Sequence, residues 1–66
     1  MRYTSKQLKE MPTLEQGHYD NLKIKTETTK VWLSRMTVGD GQPYDNEITV
    51  EELINGIWTV TRQYEG

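Results

Sequence analysis

The residues after position 46 show the strongest alternation of apolar and polar positions in the chain. The two types alternate over 47–51 and 58–61, within predicted strands over 47–53 and 57–64, and Asn55-Gly56 lies between the two runs. Two alternating runs joined by Asn-Gly are typical of a β-hairpin, because both residues accept the positive φ angles of a tight turn. The pattern therefore predicts two antiparallel strands.

The register of this hairpin depends on which side chains share a face. A two-residue turn sets Val60 opposite Glu51 and mixes apolar with polar groups on each face. A three-residue turn over 54–56 sets Val50 opposite Val60, which keeps the apolar groups together. We therefore expect the three-residue turn.

The middle of the chain predicts a second pair of strands, over 21–27 and 30–37. Apolar and polar side chains alternate over 22–27, as in a half-buried strand, and 30–37 follows after a tight reversal. A two-residue turn at Thr28-Thr29 would pair Ile24 with Leu33 on one face. A four-residue turn is the alternative, since this turn has neither Gly nor Asn.

A short helix is predicted at 4–11. Thr4 and Gln7 have the spacing of a capping box, and Pro12 prevents the helix from continuing. The expected fold is a single small domain, residues 1–66, of the α+β class and mainly β. It has this N-terminal helix and a four-stranded antiparallel meander sheet, either open or curled toward a small barrel.

The alternation divides the apolar residues between the two faces of the sheet. The residues expected to form the core are Leu22, Ile24, Val31, Leu33, Ile48, Val50, Trp58 and Val60, covered by Leu8, Met11 and Leu14. On the opposite face, which should be solvated, the pattern places Trp32, Met36, Leu53 and Ile57. A tryptophan on that face either contacts a partner or is covered by the chain's own long loop, with Tyr44 lying over it.

These apolar residues lead to a first hypothesis, a non-catalytic protein-interaction module. Its partner is another protein or a second copy of the chain, because a sheet of this kind leaves edge strands that can pair. The expected partner-binding residues are Trp32, Met36, Ile57 and Tyr44, together with Asp40 and Asp45 of the acidic loop.

The alternative hypothesis is a module that binds single-stranded nucleic acid. Small antiparallel sheets can stack bases on surface aromatics beside basic residues. The contributing residues would be Lys23, Lys25, Arg35 and Trp32. The sequence pI of about 5.2 weakens this alternative, as does Glu27 on the same face.

Candidate catalytic and metal-binding residues are few. His18 is the single histidine, and no nucleophile or acid is placed to work with it. Asp40, Asp45 and Glu47 carry oxygen ligands, but their spacing does not match an EF-hand loop. We therefore expect no enzymatic activity, no cofactor and no metal.

Length and composition favour a small protein that gains stability by association. The chain has 66 residues, no cysteine and a formal net charge of −2, and a core of this size gives marginal stability. It has no run of about 20 apolar residues, so we expect no membrane span and a cytoplasmic location. A short chain with a Trp-bearing β-hairpin resembles many small accessory proteins of phages and mobile elements, which implies a host or viral protein as the partner.

Overall fold

In the described part of the chain the secondary structure consists of one short helix and seven strands. The computed structural model describes residues 3–18, 20–34, 36–37, 43–44 and 47–66, with only the backbone described at 36–37 and 43–44. The elements are α1 (Ser5–Lys9), β1 (Glu15–Gln16), β2 (Asp20–Lys25), β3 (Thr29–Ser34), β4 (Met36–Thr37), β5 (Pro43–Tyr44), β6 (Glu47–Ile54) and β7 (Ile57–Glu65).

Five of the strands form one antiparallel meander in the order β1-β2-β3-β6-β7. The other two, β4 and β5, pair with each other between β3 and β6 in the chain. The predicted α+β, mainly β class is confirmed, with five strands in the sheet instead of four. The sheet is not closed into a barrel, because β1 and β7 lie at its two ends. The additional strand, β1, has two residues and is too short to show alternation.

The helix begins as the sequence predicts and ends earlier. The Thr4 side chain accepts a hydrogen bond from the Gln7 N–H (3.2 Å), and the Gln7 side chain accepts one from the Thr4 N–H (3.0 Å). The predicted capping box is therefore confirmed. The last helical residue is Lys9 instead of the predicted Met11. Pro12 disfavours helical backbone angles at the residue before it, which is consistent with this earlier end.

The turn between β2 and β3 has four residues between the paired Lys25 and Lys30. The Thr26 hydroxyl accepts hydrogen bonds from the N–H groups of Thr28 (3.3 Å) and Thr29 (3.0 Å), which stabilises this longer turn. The predicted two-residue turn at Thr28-Thr29 is therefore wrong, and the four-residue alternative is the one observed.

The pairing of β2 with β3 also differs from the prediction. Ile24 pairs with Val31 instead of Leu33, and a bulge at Lys23 shifts the register, so that Leu22 pairs with Trp32. The bulge turns Leu22 to the opposite face from Ile24, a change that strict alternation cannot show.

The turn between β6 and β7 has two residues, so the predicted three-residue turn is wrong. Asn55 (φ 52°) and Gly56 (φ 80°) occupy the turn, and Ile54 pairs with Ile57. Positive φ at both positions matches a type I′ turn. A two-residue turn is expected to mix apolar and polar side chains on each face. The bulge at Thr61 changes the register, so this mixing is confined to the residues between the turn and the bulge.

The core lies between α1 and one face of the sheet, which we call the inner face. Its buried residues are Leu8, Val31, Leu33 and Ile48, with Tyr3, Met11, Ile24, Val50 and Tyr64 packed around them. Four predicted core residues lie elsewhere, one of which, Leu22, is buried on the opposite face of the sheet. Val60 and Leu14 are 53% and 56% exposed, and Trp58 is half-buried outside this cluster.

The two ends of the described chain are joined beside this core. The Tyr64 hydroxyl donates to the Tyr3 carbonyl (2.9 Å) and accepts from the Tyr3 N–H (3.0 Å). The Ser5 N–H donates to the Gly66 carbonyl (3.2 Å), as does the Ser5 hydroxyl. These bonds hold the segment before α1 against the end of β7.

Candidate protein-docking surface

The face of the sheet opposite the core, which we call the outer face, carries both tryptophans. Val31 and Leu33 point inward, so their neighbour Trp32 points outward and shares its face with its partner Thr49. Trp58 pairs with Leu53, which is on the outer face as well. The outer-face side chains relevant to binding are Lys30, Trp32, Glu51, Leu53, Trp58 and Val60.

Trp32 is built into the outer face of the monomer. Its indole N–H donates to the Glu51 carboxylate (2.5 Å), and the side chain is half-buried. A Cβ placed at Gly17 would lie 3.3 Å from the Trp32 ring, so the ring lies against the Gly17 backbone. Its partner across the strands is Leu22, which is fully buried and lies outside the inner-face core. Trp32 therefore helps to bury Leu22 and leaves only part of its ring exposed.

Trp58 interacts with a cation from two strands away. The Lys30 ammonium lies 4.3 Å from the centre of the Trp58 ring. A cation–π contact at an exposed site contributes about 0.5–1 kcal/mol. Lys30 also lies directly opposite Glu51 and opposite Lys25, so it has an acidic neighbour on one side and a basic neighbour on the other.

The end of the β6–β7 hairpin extends past the rest of the sheet. The last residue of β6 with a partner in β3 is Glu52, opposite Thr29, and the Leu53 N–H donates to the Thr28 carbonyl (2.9 Å). Beyond that point β6 pairs only with β7 among the described residues. We call the apolar residues of this end the hairpin tip: Leu53, Ile54, Ile57 and Trp58, together with Val60, which lies further in, opposite Glu51.

The hairpin tip is apolar and open to solvent on both faces. Ile57 is 67% exposed, Val60 53%, Ile54 45% and Leu53 37%. Leu53, Trp58 and Val60 are on the outer face, and Ile54 and Ile57 form a pair on the inner face beyond the core. Large exposed apolar side chains that are adjacent on one element are typical of interaction sites.

The structure separates some of the predicted partner-binding residues. Ile57 and Trp32 lie on opposite faces, so they do not share one surface. Met36 and Tyr44 belong to β4 and β5, but their side chains lie outside the described part of the chain, as do Asp40 and Asp45 entirely.

The predicted nucleic-acid residues are also in different environments. The Lys23 ammonium donates to the Met11 carbonyl (3.1 Å) and to the Thr13 hydroxyl (2.9 Å), so it ties the N-terminal segment to β2. Lys25 is exposed. Arg35 is not among the described residues.

Sequence reasoning missed Trp58 and Val60 as outer-face residues. A signal was present in Asn55-Gly56, because this dipeptide is the strongest short-range indication of a two-residue turn. A two-residue turn at Asn55-Gly56 predicts the partners that are observed before the bulge at Thr61, Leu53 for Trp58 and Glu51 for Val60.

The described residues offer little for bound ions or small ligands. Within 3–18, 20–34 and 47–66 no group of three or more His, Asp or Glu side chains is placed to hold a metal ion, and no pocket is formed. In the same part of the chain every buried polar side-chain atom has a hydrogen-bond partner. The candidate site is therefore a surface.

Comparison of the chain with family models, with curated proteins and with solved structures finds no match. The described residues form no helix that is long and apolar enough to span a membrane.

Proposed function

We propose that the protein is a non-catalytic interaction module that docks on another protein through the hairpin tip. The observation that carries this proposal is the exposure of adjacent apolar side chains beyond the core, with Ile57 at 67%. Burying apolar surface gains about 25 cal/mol per Å². Complete burial of Ile57 in a complex would therefore contribute on the order of 2 kcal/mol.

The backbone of the tip supports a docking role as well. The type I′ turn and the strand pairing that starts at Ile54 and Ile57 hold the tip side chains in place before binding. A preformed element loses less conformational entropy on association than a flexible loop does. We further propose a host or viral protein as the partner, on the ground of the resemblance to small accessory proteins of phages and mobile elements.

The test compares two lysine variants in a capture experiment. The immobilised chain is exposed to an extract of its native host, and retained proteins are identified by mass spectrometry. Ile57→Lys places a charge on the tip, whereas Leu14→Lys places one on a similarly exposed apolar residue (56%) outside the tip. We expect a protein that the unmodified chain and Leu14→Lys retain and that Ile57→Lys loses. Equal retention by Ile57→Lys, with its fold intact by circular dichroism, contradicts the proposal.

One observation favours the nucleic-acid alternative. Lys25 and Lys30 lie directly opposite each other on the outer face, and Lys30 contacts Trp58. Like charges in that position are destabilising on their own, and a phosphate between them would remove the repulsion. Binding to a mixed-sequence oligonucleotide, followed by tryptophan fluorescence, should then weaken steeply with salt and be reduced in Lys25→Gln. No binding at low salt would eliminate this alternative.

A further inference from the structure

The two edges of the main sheet differ in how they are protected. Along β2, the segment before β1 runs beside the strand, where the Leu14 N–H donates to the Leu22 carbonyl (2.8 Å). At the opposite edge, the N-terminal segment reaches only the end of β7, through Tyr64 and Gly66. No other described residue pairs with the outer side of β7. Residues 57–61 are thus an open edge without charge or proline, features that normally block edge-to-edge pairing.

The hairpin turn determines which backbone groups face this edge. In a two-residue hairpin the residues that flank the turn, Ile54 and Ile57, exchange hydrogen bonds. Because the pattern alternates along an antiparallel strand, Thr59 also faces β6. The N–H and C=O groups of Trp58 and Val60 therefore point away from β6, toward the open edge.

We propose that this edge pairs with the same edge of a second copy of the chain, antiparallel and two-fold symmetric about Thr59. In this register Trp58 of one copy lies opposite Val60 of the other, and the outward backbone groups of these residues are the ones that meet. Aromatic–β-branched and Thr–Thr pairs are favourable across antiparallel strands. The two-fold symmetry forms the Trp58–Val60 pair twice and the Thr59–Thr59 pair once.

Other two-fold registers fit less well. A two-fold register keeps the outer faces of both copies on the same side of the joined sheet only if its axis passes through a residue, and not between two residues. Centring on Trp58 sets Val60 opposite Gly56, which has no side chain to pack against it. Centring on Val60 sets Trp58 opposite Arg62, beyond the bulge at Thr61. The Thr59 register avoids both and sets no like charges opposite each other over 57–61.

This pairing ends at two copies. The free edge of β7 is used by both partners, and the edge strand at the other end of the sheet, β1, has only two residues, one of them the charged Glu15, so it offers little for further strand pairing. An isologous interface of this kind gives a closed dimer. It shares the side chains of Trp58 and Val60 with the hairpin tip, but it is tested at Thr59, whereas the proposed docking on another protein is tested at Ile57. Each can fail without the other.

The first experiment is a charge exchange at the symmetry axis. A short edge interface is at the small end of the size range, so we expect a Kd on the order of 100 µM. Sedimentation equilibrium up to about 1 mM should show a reversible dimer of the unmodified chain. Thr59→Lys and Thr59→Glu should each be monomeric, because like charges then meet at the axis. An equimolar mixture of the two should recover a dimer containing one of each.

A backbone variant distinguishes edge pairing from side-chain association. Val60→Pro removes an N–H that faces the open edge and should abolish the dimer, whereas Val60→Thr keeps that N–H and should preserve it. If Val60→Pro is unfolded by circular dichroism, the charge exchange alone decides. A monomer at about 1 mM, a dimer unaffected by Thr59→Lys, or a mixture that stays monomeric overturns the inference.

Discussion

The indole N–H of Trp32 donates to the carboxylate of Glu51 on the adjacent strand, while the ring lies against the Gly17 backbone. These contacts orient the largest side chain of β3 over Leu22, which is fully buried. Trp32 is thus part of the monomer's own structure, and the freely exposed apolar surface lies instead at the hairpin tip.

Trp32→Ala should destabilise the monomer by about 2 kcal/mol, because it uncovers Leu22 and removes the hydrogen bond to Glu51. Trp32→Phe keeps an aromatic ring and should cost about half as much. Urea unfolding followed by circular dichroism measures both. Unchanged stability of Trp32→Ala would show that Trp32 does not cover Leu22 in solution.

Gly56→Ala should cost about 1 kcal/mol, because φ at this position is 80° and a Cβ strains that conformation. No atom outside the immediate neighbours lies within 4 Å of such a Cβ, so the cost comes from the backbone alone. Glu65→Ala, in the same hairpin at an exposed position away from the turn and the bulge, is the control. Thermal unfolding should distinguish the two variants, and an equal melting temperature for both would contradict the type I′ turn.

Tyr64→Phe should release the segment before α1 from the end of β7. The hydroxyl both donates to and accepts from the Tyr3 backbone, so its loss removes two hydrogen bonds worth about 1 kcal/mol each. Tyr3→Phe is the matched control, since Tyr3 takes part in these bonds through its main chain. Hydrogen exchange at the Tyr3 amide should accelerate in Tyr64→Phe only. Equal exchange in both variants would rule out this contact.

Lys23→Met should loosen the segment between α1 and β1 while preserving the apolar stem of the side chain. The ammonium bonds the Met11 carbonyl and the Thr13 hydroxyl, and a thioether cannot donate to either. Lys25→Met, two residues along the same strand and exposed, is the control. Limited proteolysis should cleave within 10–14 faster in Lys23→Met than in Lys25→Met. Equal rates would show that Lys23 does not hold this segment.

The sequence predicted those elements whose pattern is local. The capping box at Thr4 and Gln7 follows from two residue types at a fixed spacing, and the strands follow from period-two alternation. Both bulges were missed, because one extra residue at Lys23 or Thr61 leaves no mark on composition. Each bulge changes which side chains face the core.

The candidate site was predicted less well than the fold for the same reason. A constant register over 57–64 assigned Trp58 and Val60 to the core, whereas the two-residue turn places them on the outer face. Assigning Trp32 to the outer face needed only its neighbours Val31 and Leu33, which are separated from it by no bulge. That Gly17 and Glu51 partly enclose it depends on tertiary contacts that no local pattern contains.

The most direct test of docking through the hairpin tip is NMR of the ¹⁵N-labelled chain in an extract of its native host. We expect the amide signals of residues 53–60 to broaden or shift, with those of 15–25 unchanged, and Ile57→Lys to abolish the effect. Signals at 53–60 that match those of the purified chain, while other residues respond to the extract, would contradict the proposed function.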